Sequence, residues 1–145
     1  MKIAIAADHA GVGLKQRLAR RLLRDGHEVQ DLGTDGTESV DYPDFAHAVA
    51  RAVQGGQAER GVLVCGTGIG MSIAANRSAG IRAAKCNDPQ EARLARAHND
   101  ANVLCLGARI LDPTTADEVL GAFLTTDFEA GRHARRVDKL TPGPA

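Results

Sequence analysis

A chain of 145 residues fits one domain, and 43% hydrophobic residues suffice to close a core. With aromatics at 3%, that core must be built from Ala, Val, Leu and Ile. A formal net charge of zero excludes a whole-domain electrostatic pull toward nucleic acid or an anionic membrane, and no apolar run approaches a membrane span.

The first segment, Lys2–Ala7, is apolar but too short for a signal peptide and reads as a strand that begins the fold. Leu14, Leu18 and Leu22 then recur every four residues, which predicts a helix. Lys15, Arg17, Arg20, Arg21 and Arg24 form its solvated face, and Asp25-Gly26 stops it. Glu28–Leu32 is the second strand. Phe45, Val49 and Val53 repeat the helical spacing before Gly55-Gly56. Gly61–Cys65, Ile81–Lys85 and Val103–Gly107 complete the set of five strands, several of them apolar on successive residues as in sheets covered on both faces. Asp41-Tyr42-Pro43, Asp88-Pro89 and Asp112-Pro113 are helix starts, an acid to accept orphan amides and a proline already near helical φ. Asp88 with Glu91 comes close to a capping box.

Strands that alternate with helices pair in parallel, with right-handed crossovers and helices on both faces. The expected fold is a single Rossmann-like three-layer α/β/α domain spanning residues 1–145, with a five-stranded parallel sheet in the order 2-1-3-4-5 and a short flexible tail at 141–145. Three cysteines, Cys65, Cys86 and Cys105, form no paired framework and no C-x-x-C motif, which predicts a reducing, cytoplasmic setting. Ligands of doubly wound folds sit at the carboxyl ends of the strands.

At those ends lie the chemistry-bearing residues. Asp8-His9 closes the first strand; Gly11 and Gly13 follow, but Gln16 stands where a dinucleotide fingerprint needs its third glycine. The third strand runs into Cys65-Gly66-Thr67-Gly68-Ile69-Gly70-Met71-Ser72. The loop has no Gly-Lys-Ser/Thr of a Walker motif, and Met71 stands where a cysteine-phosphatase loop carries arginine. What remains is an anion-stabilising turn with a thiol at its mouth, since a helix start presents free amides to negative charge and favours a thiolate. Cys86 and Cys105 read as buried small hydrophobes; the residues alone leave Cys65 open between packing and catalysis. His98-Asn99-Asp100 is either turn chemistry or an acid–base site. Arg132 and Arg136, four apart, share a helix face as either an exposed basic end or a phosphate grip. His27 and His47 have no metal-ligand spacing.

Taken in register, Asp8-His9, Asp41-Tyr42-Pro43-Asp44, Cys65-Gly66-Thr67-Gly68-Ile69-Gly70 with Ser72-Ile73-Ala74-Ala75-Asn76, His98-Asn99-Asp100 and Gly131-Arg132-His133 resemble the type B ribose-5-phosphate isomerases. That superfamily also holds galactose-6-phosphate isomerase subunits. The resemblance runs to about Leu140 and implies an aldose–ketose isomerase with no cofactor and no metal. It implies Cys65 as the base that moves a proton between C2 and C1, and Gly66, Gly68 and Gly70 with Thr67 as stabilisers of the enediolate oxygen. His98 would open the furanose ring. Asp8 and Tyr42 would hold sugar hydroxyls with Asn99 nearby, and His9, Arg109, Arg132 and Arg136 would bind the phosphate. It further implies a homodimer or dimer of dimers whose sites cross the interface, the C-terminal helix reaching the neighbour. One branch carries serine for the cysteine and a glutamate after the glycine loop; here that glutamate position is Met71. Another sugar phosphate with six or four carbons is the alternative substrate. A non-catalytic phosphate-binding module and a Cys–His hydrolase, with Cys65 as nucleophile and His98 as base, are the alternatives outside the class.

Overall fold

A computed structural model describes residues 1–142, so of the expected tail only Thr141 and Pro142 are covered and 143–145 lie outside the described residues. The elements run β1 (Lys2–Ala7), α1 (Val12–Arg24), β2 (Glu28–Asp31), α2 (Tyr42–Gln54), β3 (Arg60–Cys65), α3 (Ile69–Ala75), β4 (Ala83–Lys85), α4 (Pro89–Asn99), β5 (Val103–Gly107), α5 (Pro113–Thr125) and α6 (Arg132–Asp138). All strand pairs are parallel, and helices cover both faces.

The strand order corrects the sequence reading. It is β2-β1-β3-β5-β4, with the last two strands exchanged relative to 2-1-3-4-5. Burial supplies the reason. All five residues of β5, Val-Leu-Cys-Leu-Gly, are buried and need a neighbour on each side and a helix layer on each face. The three residues of β4, Ala-Ala-Lys, are half-buried and tolerate the edge. Asn76 blunts that edge, its side-chain amide donating to the Ala83 carbonyl at 2.9 Å and its oxygen accepting from the Ala83 amide at 2.7 Å.

With this order, β1→β2 and β4→β5 step one way and the other two crossovers step the opposite way. Right-handed connections therefore place α1 and α4 on one face and α2 and α3 on the other. The two cores follow this division. Leu18, Leu22, Val119, Leu120 and Phe123 pack on Ile3, Ile5, Val62, Val64, Leu104 and Leu106. Ala46, Val49, Ala50, Met71 and Ala75 pack on Ala4, Ala6, Leu63, Val103 and Cys105. Alternate residues of each strand face opposite layers, which is why the strands are apolar throughout.

Two of the three acid–proline starts cap as expected: Asp88 accepts from the Glu91 amide and Asp112 from the Thr115 amide, both at 2.8 Å. At Asp41 the side chain makes no cap bond, because the Asp44 amide turns to the Asp41 backbone oxygen at 3.2 Å.

Lys15 is a second correction. Assigned to the solvated face of α1, it is fully buried, with Nζ 2.8 and 2.9 Å from the two carboxylate oxygens of Asp31 and 2.7 Å from Asp35. Periodicity put it outside; the end of β2 and the loop after it cover it. Burial pushes the ammonium's pKa down, but the hydrogen bonds and charges of the two carboxylates outweigh it, leaving the pKa above the usual 10.5. A raised folded pKa means the charged pair stabilises fully below the unfolded value and is lost as pH rises through the folded one. Unfolding midpoints in urea are thus expected to fall above about pH 10.5, the unfolded value. Lys15→Met should lose this alkaline limb and be less stable at pH 7 by about 1–3 kcal/mol, limited by the exposure of both carboxylates.

Candidate active site

Register brings three strand ends level. Ala7 pairs with Val64 and Cys65 with Gly107, so the residues leaving β1, β3 and β5 meet at one end of the sheet. β1 and β3 are also where the crossover direction reverses, the switch point of a doubly wound sheet. An open pocket of about 420 Å³ lies there, lined by Asp8, Tyr42, Cys65, Gly66, Thr67, Ile69, Gly70, Ile73 and Arg109.

Cys65 forms its floor, 5% exposed, and the Gly68 amide donates to its Sγ at 3.1 Å. That bond requires the turn between them. Gly68 has φ +80°, and a Cβ there would stand 3.0 Å from the Leu106 backbone, so conformation and space both demand glycine. Gly70 admits the Tyr42 ring, which a Cβ would meet at 2.5 Å, and Gly66 admits Arg109, whose Nη1 a Cβ would approach to 3.1 Å. The backbone just after β5 fixes the arginine: the Ala108 and Arg109 amides donate to the Cys65 and Gly66 carbonyls at 2.8 and 2.9 Å. Thr67 Oγ1 accepts from the Ile69 amide at 3.2 Å, opening α3.

Asp8 is 8% exposed and its carboxylate accepts from the Ala10 amide at 3.0 Å. His9 Nδ1 accepts from the Val40 amide at 3.2 Å. A neutral ring with that acceptor carries its hydrogen on Nε2. The other cysteines have no such setting. Burial, with the charges of Glu91 and Asp88, pushes the Cys86 thiol up to about 12. Burial and the two neighbouring cysteines push Cys105 higher than its ordinary range.

His98, Asn99, Arg132 and Arg136 are not brought to this pocket by the chain itself. α4 ends at the amino side of the sheet, where the Gly61 amide donates to the Asn102 carbonyl at 2.9 Å. The run of β3 from Gly61 to Cys65 separates the two regions by about 13 Å at 3.3 Å per residue. At that far edge α6 packs on α4, and the rings of His98 and His133 stack with centroids 4.2 Å apart. Glu129 Oε2 lies 3.7 Å from His133 Nε2 and 4.0 Å from His98 Nε2. Among the described residues this is the one group of three whose donor atoms gather closely enough to suggest a metal ion.

Sequence reasoning did not single out Ile69, Ile73, Glu129 or the stack of His133. Ile69 and Ile73, 51% and 60% exposed, are four apart on α3 and wall the pocket; two isoleucines at helical spacing directly after the glycine turn were the signal. Nothing in the sequence places Glu129 beside His98.

At the switch point a thiol and a carboxylate share an open pocket with a glycine turn and an arginine, a setting that fits the class of enzymes for small anionic substrates. The comparisons make the class specific. The model of the ribose/galactose isomerase family matches residues 3–140. Ribose-5-phosphate isomerase B of Escherichia coli is 47% identical over 140 residues, covering 97% of this chain and 94% of that protein. D-erythrulose-4-phosphate isomerase of Pectobacterium atrosepticum is 45% identical over 141 residues, covering 97% and 93%. The structure of Clostridium thermocellum ribose-5-phosphate isomerase B superposes with a TM-score of 0.96 at 51% identity, covering 97% and 95% of the two chains. The chain belongs to the ribose/galactose isomerase family and, within it, stands with the type B ribose-5-phosphate isomerases. No helix among the described residues is long and apolar enough to cross a membrane.

Proposed function

We propose that this isomerase interconverts ribose 5-phosphate and ribulose 5-phosphate with Cys65 as the base. The observation that carries the reading is the buried Cys65 Sγ, met by the Gly68 amide on the floor of a pocket bearing Asp8, Tyr42 and Arg109. An amide aimed at sulfur is a donor that a thiolate accepts better than a thiol does.

His98 first moves the proton between the ring oxygen and the C1 hydroxyl, opening the furanose. The Cys65 thiolate then takes the proton from C2, and the electron pair moves into a C1–C2 double bond with negative charge on O1. Amides of the Gly66–Gly70 turn and the Thr67 hydroxyl donate to that charge, those of Gly68 and Ile69 exchanging their present acceptors, Cys65 Sγ and Thr67 Oγ1, for the developing oxyanion. Cys65 returns the proton to C1 while the O2 hydrogen passes to O1, so the substrate changes isomer without changing mass. Asp8 and Tyr42 hold sugar hydroxyls, Asn99 adds a further contact, and Arg109 with the Nε2 hydrogen of His9 binds the phosphate with Arg132 and Arg136.

The separation of His98, Arg132 and Arg136 from Cys65 supports a homodimer in which α4 and α6 of one subunit complete the pocket of the other. A two-fold interface gives two such sites, each built from both chains.

Metal-free assays of ribose 5-phosphate beside allose 6-phosphate, galactose 6-phosphate and D-erythrulose 4-phosphate are expected to give the highest kcat/KM on ribose 5-phosphate. A higher value on the four-carbon sugar would move the substrate to the second reading, which the 45% identical D-erythrulose-4-phosphate isomerase favours. Turnover of none would overturn catalysis and leave a phosphate-binding module.

A further inference from the structure

The far-edge pair repays closer reading. His98, the second-last residue of α4, and His133, the second of α6, stack at 4.2 Å with an interplanar angle of 13°. His98 is partly open, its side chain 38% exposed; His133 beneath it is 9% exposed. The His133 Nε2 is buried and has no hydrogen-bond partner among the described residues, although it faces Glu129. The backbone around the pair adopts unusual conformations. Asp100 and Ala130, the two non-glycine residues at positive φ among those described, have φ +47° and +56° and flank the stack, followed by Gly131 at +53°. Left-handed conformations of residues with a Cβ cost about 1–2 kcal/mol each and persist where surrounding contacts require them.

A shared metal ion does not account for this arrangement. An imidazole lone pair lies in the ring plane, and two planes parallel to within 13° have no common point at bonding distance. The groups fit a different use. A flat ring under another fixes its plane, and two imidazoles in contact resist carrying two positive charges. Other charges facing the pair are Glu129 from the segment before α6, and Arg132 and Arg136 from α6. Arg96 of α4 and Asp100, the residue after it, engage each other at 2.8 Å.

We propose that His133 is a positioning residue for His98, a platform that fixes the His98 ring plane and confines the stacked pair to a single proton, whose charge Glu129 balances. This rests on the reading of His98 as the ring-opening group. Burial, with the charges of His98 and Arg132, holds His133 below its usual value. The pair then titrates as a unit rather than as two independent histidines.

The test compares His133→Ala, which removes platform and charge, with His133→Phe, which keeps a flat ring and cannot be protonated. Imidazole nitrogen resonances are followed by NMR against pH, with chelator present, beside pH profiles of kcat for ribose 5-phosphate. In His98→Phe, which keeps the stacked ring without its charge, the His133 resonance is expected to titrate at higher pH than in the wild type, while His133→Phe keeps kcat near normal at neutral pH. In His133→Ala kcat is expected to fall about 10-fold, a fraction of the 10²–10⁴ that acid–base catalysis supplies, with KM little changed. His133 titrating identically in wild type and His98→Phe would overturn the proposal, as would wild-type kcat in His133→Ala. The NMR arm needs no catalysis: coupled titration in a protein whose His98→Ala variant keeps full activity would refute the ring-opening role and leave the pairing intact.

Discussion

Cys65→Ala is expected to lower kcat on ribose 5-phosphate about 10³-fold, inside the 10²–10⁴ range for removal of a general base. KM should change little, because the sulfur meets the substrate at C1 and C2 and not at its phosphate or hydroxyls. The fold should survive. Cys65 is 5% exposed at a strand end beside an open pocket, so deleting its sulfur costs about 1 kcal/mol and not the larger amounts of a closed core cavity. Cys65→Ser sharpens the test, since it keeps the size and the Gly68 contact and replaces a thiol by a hydroxyl that does not ionise near neutral pH. It should be nearly as inactive as the alanine variant. Cys86→Ala and Cys105→Ala provide the contrast. Their thiols are held protonated by burial, so these variants should keep kcat and lose stability instead. Near-normal turnover by both Cys65 variants would remove the thiol from the mechanism and return the glycine turn to binding alone.

The second large effect concerns assembly. Cys65→Ala and His98→Ala should each be inactive on ribose 5-phosphate as purified proteins. Mixed, and allowed to exchange subunits, they should regain activity. In a hybrid dimer one composite site carries both defects and the other carries neither. Random pairing makes half the dimers hybrids with one good site of two, so about a quarter of wild-type activity returns if the interface has two-fold symmetry. A site contained within one chain would give no recovery at any mixing ratio. That outcome would require His98 to cross the length of β3 within its own subunit, against the fold described above. The same mixing with Arg132→Ala in place of His98→Ala asks whether the phosphate grip crosses as well.

The strands were legible because a sheet buried on both faces imposes unbroken apolar runs, and β1 and β5 were bounded in the sequence as they stand in the structure. The glycine turn was legible because the close approach of Tyr42 and Arg109 to Gly70 and Gly66 leaves no room for a Cβ, so the requirement is written in residue type. Lys15 was misplaced because helical periodicity reports which side of a helix faces its own sheet, and says nothing about a loop that later covers the other side. The exchange of β4 and β5 was missed for a similar reason. Chain order alone does not decide which strand takes the centre, although the half-buried Ala-Ala-Lys against the fully buried Val-Leu-Cys-Leu-Gly held the clue.

By itself, the sequence determined the element types, the parallel α/β fold and the turn that follows Cys65, since each depends on local spacing and residue shape. Only the tertiary structure decided that Asp8, Tyr42 and Arg109 share a pocket with Cys65, that Glu129 and His133 gather at His98, and that these two groups lie at opposite ends of the sheet. Those outcomes depend on strand order and crossover direction, which bring together residues far apart in the chain and separate others that share a family motif. Pairing across such distances is set by the total burial of the packed layers, and no local window of residues contains it.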